Sequence, residues 1–163
     1  MKATDAIKIA LTSTQEILNW YISDLSDADL LVRPAPGANH IAWQIGHLIS
    51  SESHLAGELP NAHFPELPTG FAEKHSNKNA TAESTQGFAT KAIYLDLFAR
   101  TRGATIAALD KLSDADLDSP TKGPMAKFAP NLGALVQLVA NHTLMHAGQF
   151  TVLRRKLGKP VLF

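Results

Sequence analysis

Apolar residues recur along this chain at intervals of three and four rather than two, and that period marks out four long helices. The first runs from about Ala3 to Asp24, with Ile7, Leu11, Thr14, Leu18 and Tyr21 on one stripe. A second begins near Asn39, whose short amide suits an N-cap, and carries Ile41, Ile45, Leu48 and Leu55 before "GELP" ends it. The third spans about Ser84 to Leu112 and keeps the period through Ile93, Leu97, Thr101, Ala104 and Ala108. The fourth opens after Pro130-Asn131 and continues through Arg155 to Gly158-Lys159-Pro160, a glycine-then-proline stop. No segment alternates convincingly with period two. The expected fold class is therefore all-α, a four-helix bundle in one domain covering residues 1–163.

The hexapeptide "LSDADL" occurs at 25–30 and again at 112–117. In each copy a serine (Ser26, Ser113) stands three residues before an aspartate (Asp29, Asp116), the spacing of a capping box. Two readings follow: a favourable helix-end turn used twice, or a pseudo-repeat of helix, "LSDADL" turn, loop and helix. The second reading would put helices two and four in corresponding places. Connections of roughly fourteen, twenty-five and eighteen residues are long for a bundle, where two to eight is usual. The longest, rich in proline, is expected to cross the end of the bundle or form a lid.

Composition narrows the function. With 163 residues, 45% apolar and 18% charged, the chain can bury a core of its own. Lys plus Arg and Asp plus Glu are both 15, so no net field draws in a polyanion and no nucleic-acid partner is expected. There is no cysteine, which removes disulfides, thiolate zinc sites and a thiol nucleophile of the protein's own. No window reaches the apolar length of a membrane span, and the N-terminal stretch lacks the core of a signal peptide. The expectation is a soluble, cytoplasmic protein with no membrane partner.

The histidines carry the candidate chemistry. In the fourth helix Leu135, Val139, His142, His146, Gln149 and Leu153 follow one continuous face, which the leucines and valine mark as inward. His142 and His146 lie about 40° apart around the axis and one turn apart along it, within reach of one ion. They either pack as hydrogen-bonded core histidines or hold a metal. His47, mid-way along the second helix and next to Gly46, is the candidate third ligand, and Gly46 is expected to admit a neighbouring helix. His40 and His54 share the His47 face but His54 lies roughly 10 Å beyond it; these two, with His63 and His75 in the long loop, are expected to be solvated or capping residues. A zinc-peptidase reading fails because Thr143 stands where the general-base glutamate belongs. A di-iron reading fails for want of Glu-x-x-His pairs. What remains is a mononuclear site.

At these residues a resemblance becomes specific. "RPAPGANHIAWQIGHL" and, much later, "NHTLMHAGQFTVLRRKLGKP" resemble the DinB/YfiT-like superfamily of bacterial four-helix proteins regarded as metalloenzymes. The resemblance spans nearly the whole chain. It implies a metal triad of His47, His142 and His146, an up-down-down-up helix order with long crossovers, and frequent homodimers. It also implies chemistry like that of thiol-dependent transferases and isomerases, in which a divalent metal activates a low-molecular-weight thiol such as bacillithiol or mycothiol.

Three neutral imidazoles would leave one divalent ion its full charge and an open position, the arrangement of a catalytic centre. Zinc or nickel is the ion expected on purification, with iron as a further candidate. Trp43 could wall the pocket and Gln149 could orient a bound ligand. "RRK" at 154–156 is read either as an anion patch or as cations suited to a helix C-terminus. The first functional expectation is a metal-dependent transferase or isomerase that takes a small-molecule substrate, with a thiol as co-substrate. The alternatives are a non-catalytic metal or small-ligand binding protein in stress response, and a metal-dependent hydrolase.

Overall fold

The computed structural model describes residues 1–162. Its helices are α1 (Ala3–Ile22), α2 (Asp27–Leu30), α3 (Ile41–Leu55), α4 (Phe71–Lys74), α5 (Lys91–Leu109) and α6 (Leu132–Lys156). Among the described residues there is no strand, only an isolated bridge between Pro120 and Asn131. Nor, among the described residues, is any helix long and apolar enough to cross a membrane. Four long helices carry the bundle, as the three-and-four period requires.

Their directions follow from which ends share a core. One apolar cluster joins Leu18 and Ile22 at the end of α1, Ile41 and Ile45 at the start of α3, Tyr94 and Phe98 at the start of α5, and Phe150 and Leu153 late in α6. A second joins Ile7 and Leu11 of α1, Ala108 and Leu109 of α5, and Leu132, Leu135 and Val136 of α6. α1 and α6 therefore run one way and α3 and α5 the other, an up-down-down-up order. α1 packs most extensively on α6, and α3 on α5. Only the segment 56–90 must travel from one end of the bundle to the other; the links before α3 and before α6 each stay at one end.

The third helix begins later than its period suggests. Residues 84–89 form a turn in which Gly87 takes a left-handed φ of 76°, a conformation open to glycine and closed to a continuing right-handed helix. Thr90 then caps α5 by accepting from the Ile93 amide. The prolines and glycines of 56–90 do not leave it featureless, since the short α4 and a 3-10 turn at Asn77–Asn79 lie within it.

Both "LSDADL" copies build the same local box. The Ser26 amide and hydroxyl donate to Asp29 Oδ2 at 2.8 Å each, and those of Ser113 donate to Asp116 Oδ2 at 2.7 Å each. The other aspartate of each copy then caps a different long helix. Asp27 accepts from the Lys91 amide at the start of α5 (2.6 Å). Asp114 accepts from the Ala3 and Thr4 amides at the start of α1 (3.0 and 3.1 Å). The turn after α1 thus caps α5 and the turn after α5 caps α1. Leu30 and Leu117, equivalent in the two copies, are buried in the clusters at opposite ends. This is the arrangement of two helix pairs related by a pseudo-two-fold.

Between the apolar ends lies a polar layer. Arg102 of α5 is fully buried and Glu52 of α3 is 3% exposed. Arg102 Nε and Nη2 donate to the Glu52 carboxylate at 2.8 and 2.9 Å. Arg102 also donates to the Leu11 carbonyl and Thr14 Oγ1 of α1 and to Thr143 Oγ1 of α6. Replacing Arg102 by leucine leaves Glu52 buried without its counter-ion and is expected to destabilise the fold by roughly 3–5 kcal/mol. The joint change of Glu52 and Arg102 to a methionine and a leucine should cost clearly less, and urea unfolding of the two variants measures the difference.

Candidate metal centre

His47 stands in the middle of α3, with the Trp43 indole stacked on its ring (centroids 4.8 Å apart, planes 9° apart). His142 and His146 face it from α6, with ring centroids 5.2 and 5.4 Å from that of His47. One ring nitrogen from each of the three lies within 4.8 Å of the others, and among the described residues this is the only group of three His, Asp or Glu side chains able to hold an ion. The helical spacing expected from the sequence is met at both His142 and His146, the former half-buried and the latter buried.

The protein selects which nitrogen each imidazole presents. His47 Nδ1 lies 3.2 Å from the His75 carbonyl oxygen; a carbonyl only accepts, so Nδ1 carries the proton and Nε2 keeps its lone pair. His146 Nδ1 lies 2.8 Å from Gln44 Oε1, and the Gln44 amide is oriented by its own donation to the Asn39 carbonyl at 2.9 Å. His146 Nε2 is therefore also unprotonated, and it accepts from His142 Nε2 at 3.1 Å. An ion would take the place of that one shared proton. Zinc–nitrogen bonds of about 2.0–2.1 Å set ligands about 3.4 Å apart in a tetrahedron. Small ring rotations reach that from here, so the residues present fit a metal.

Burial also keeps the triad neutral. Desolvation is the main cause that lowers His146 to about 3 and His142 to about 4, and the neighbouring imidazoles add to it. His47 is lowered by burial too, with the His75 carbonyl acting the other way. Among the described residues no Asp or Glu side chain joins the triad. The buried carboxylate of α3, Glu52, is held on both oxygens by Arg102, and Thr105 donates to Oε1 at 2.7 Å.

Of the two roles expected for His75, solvated or capping, it takes the second: it is 1% exposed and closes α4 as its C-cap. Its Nδ1 donates to the Phe71 carbonyl at 2.7 Å, so Nε2 accepts from the Tyr94 hydroxyl at 2.8 Å. Burial lowers His75 to about 4 and raises Tyr94 to about 12. The ring presses on Gly46, where any Cβ would overlap it. Gly46 thus admits the C-terminal end of the short helix α4 rather than one of the long helices, and the close approach is what brings the His75 carbonyl to His47.

Other sequence candidates fall in different places. His40 takes the capping role expected of it, its Nδ1 accepting from the Trp43 amide at 3.0 Å at the start of α3, and it is 1% exposed. His54 and His63 are exposed. Trp43, 3% exposed, braces the His47 ring. Gln149, expected on the inward stripe, is exposed and Phe150 takes the buried position. Four residues past His146 is 40° around the axis, three is 60° the other way, and the larger apolar ring occupies the core side. Of the "RRK" stretch, Arg154 is no anion patch: it is buried and donates to the Tyr21 and Pro160 carbonyls and to Asp24. Lys156 donates to the Arg33 carbonyl. Sequence reasoning missed the parts played by Gln44, His75, Glu52 and Arg102. Glu52 and Arg102 had a signal, since each stands four residues after a core residue, Leu48 and Phe98, on its helix's apolar stripe.

Fold and site together define a four-helix bundle with an open histidine triad at its middle. The sequence model of the DinB superfamily matches residues 10–150, well over half of the chain, and the chain belongs to that superfamily. Among solved structures, YfiT from Bacillus subtilis, described as a probable metal-dependent hydrolase with an unusual four-helix bundle topology, is similar with a TM-score of 0.68 at 18% identity, over 96% of this chain and 89% of that one. A conserved protein of Enterococcus faecalis is similar with a TM-score of 0.67 at 17% identity, over 98% of this chain and 99% of that one. No curated protein matches the chain significantly.

Two outcomes are expected. Unfolded histidines titrate near 6.5, whereas the buried ones titrate at about 3 to 4. On acidification the unfolded chain therefore takes up protons first, and the stability of the metal-stripped protein falls from about pH 6.5 down toward about pH 4. Urea midpoints across that range measure it, and His146→Leu should flatten the slope. Separately, Gly46→Ala should displace the His75 ring, cost about 1–3 kcal/mol and weaken zinc binding about tenfold or more through His47. Adding His75→Ala to it should recover part of the stability.

Proposed function

We propose that this DinB-superfamily chain is a metal-dependent enzyme that holds one divalent ion, zinc, nickel or iron, on His47, His142 and His146 and transfers a low-molecular-weight thiol to a small electrophile. The observation that carries this reading is the convergence of three neutral, desolvated imidazoles with no free carboxylate beside them among the described residues. A bound ion would supply Lewis acidity, lowering the pKa of a thiol or water beside it. Gln44 and the His75 carbonyl hold His146 and His47 in the tautomers that leave Nε2 free. Trp43 covers one face of the His47 ring. With Glu52 fully engaged, the attacking group must give up its proton without help from a carboxylate. A thiol, with a pKa near 8.5, meets that condition far more readily than water at about 15.7. Because the chain has no cysteine, the thiol must arrive with a small molecule.

Hydrolysis is the second reading, favoured by the description of YfiT. Elemental analysis of untagged protein after mild chelation should find about one first-row ion per chain, and His142→Ala should lose it while keeping its helical circular dichroism. The zinc-loaded protein is then screened with low-molecular-weight thiols against an electrophile panel, alongside esters and amides without thiol. Conjugation supports the proposal, thiol-independent cleavage replaces it with the hydrolase, and metal binding without either reaction leaves a non-catalytic binding protein.

A further inference from the structure

A cleft of about 330 Å³ opens between α3 and α6 under the turn at Pro124–Lys127. Its walls are Leu55, Pro124, Met125, Leu138 and Met145, and its polar groups are Ser51, His54 and His142. Two of these belong to the metal centre's own surroundings. His142 is one of the triad, and Ser51 Oγ lies 3.4 Å from His47 Nε2, the nitrogen left free for an ion. The cleft and the triad are therefore continuous at Ser51 and His142.

We infer that this cleft receives the uncharged apolar body, aryl or branched alkyl, of the small molecule whose reactive head lies at the histidine triad. The inference rests on the metal-site reading above and names the substrate class for it. Its volume is at the small end of small-molecule sites and too small to seat a helix or strand of a second protein. No Asp, Glu, Lys or Arg lines it, so a charged body would lose its hydration there without gaining a partner. Met125 and Met145 place two flexible, polarizable side chains on the wall, which adapt to flat and branched shapes alike. Met145 is 63% exposed although it stands beside a triad residue on a helix whose other face is the core. An apolar side chain left at the mouth of a cleft that leads to a polar centre is what such a ligand would cover.

The test compares two probes with the same metal-binding head and different bodies, acetohydroxamate and benzohydroxamate, titrated calorimetrically into the zinc-loaded protein. Burying the phenyl ring should make benzohydroxamate bind about tenfold or more tightly than acetohydroxamate. Met145→Glu and Leu138→Gln, checked for retained helicity, should each remove most of that difference. Because Met145 is largely exposed, its replacement leaves folding out of the question. Equal affinity for the two probes, or a difference that survives both variants, overturns the cleft assignment while leaving the metal site standing. Binding of neither probe overturns both, since no accessible ion would then sit at the triad.

Discussion

Arg102 is the point at which the four long helices meet. From α5 it reaches the Glu52 carboxylate of α3, a carbonyl and a hydroxyl of α1, and the Thr143 hydroxyl of α6. A buried ion pair of this kind adds little net stability over an apolar replacement, because desolvation offsets the attraction. The apolar clusters on either side do that work, at roughly 2 kcal/mol for each large side chain such as Leu11, Leu18 or Ile22. What the pair contributes is register. Each of its partners sits at one height on one helix, so sliding any helix by a turn would leave a buried charge or hydroxyl unpaired.

That register serves the neighbouring histidines. Thr143 lies between His142 and His146, and Glu52 lies on the same helix as Gln44 and His47. Fixing Arg102 to Thr143 and Glu52 therefore fixes the facing of α3 and α6 at the height where the three imidazoles meet. The same threonine that rules out a peptidase glutamate is the residue that docks α6. Glu52 is in turn fully engaged by its partners, and the triad is left without a free carboxylate beside it.

The second constraint comes from outside the long helices. The 56–90 segment is the one connection that crosses the bundle, and it anchors at Gly46 through His75, with Tyr94 closing the contact. The carbonyl delivered there orients His47. A loop that makes the topology possible also orients one histidine of the triad, so folding of the crossover and arrangement of the three imidazoles are coupled.

The sequence by itself determined the class of fold, the four long helices and the shared face of His142 and His146. All of these depend on helical period, which one chain position and its neighbours are enough to express: His142 and His146 share a face because they are four residues apart. It also showed both "LSDADL" boxes, which close over three residues. The tertiary structure alone decided the rest. The start of α5 at Lys91 rather than near Ser84 depends on a left-handed Gly87 and on Asp27 from a distant turn. Phe150 rather than Gln149 takes the core side because the two lie on opposite sides of the His146 direction and the apolar ring gains more from burial. His75 is buried, and Gly46 faces it, because a segment without periodicity must still pair its polar groups wherever the chain carries them. Partnerships such as Glu52 with Arg102 or His47 with the His75 carbonyl join residues far apart in the chain, and no local pattern encodes which side chains will meet across a bundle.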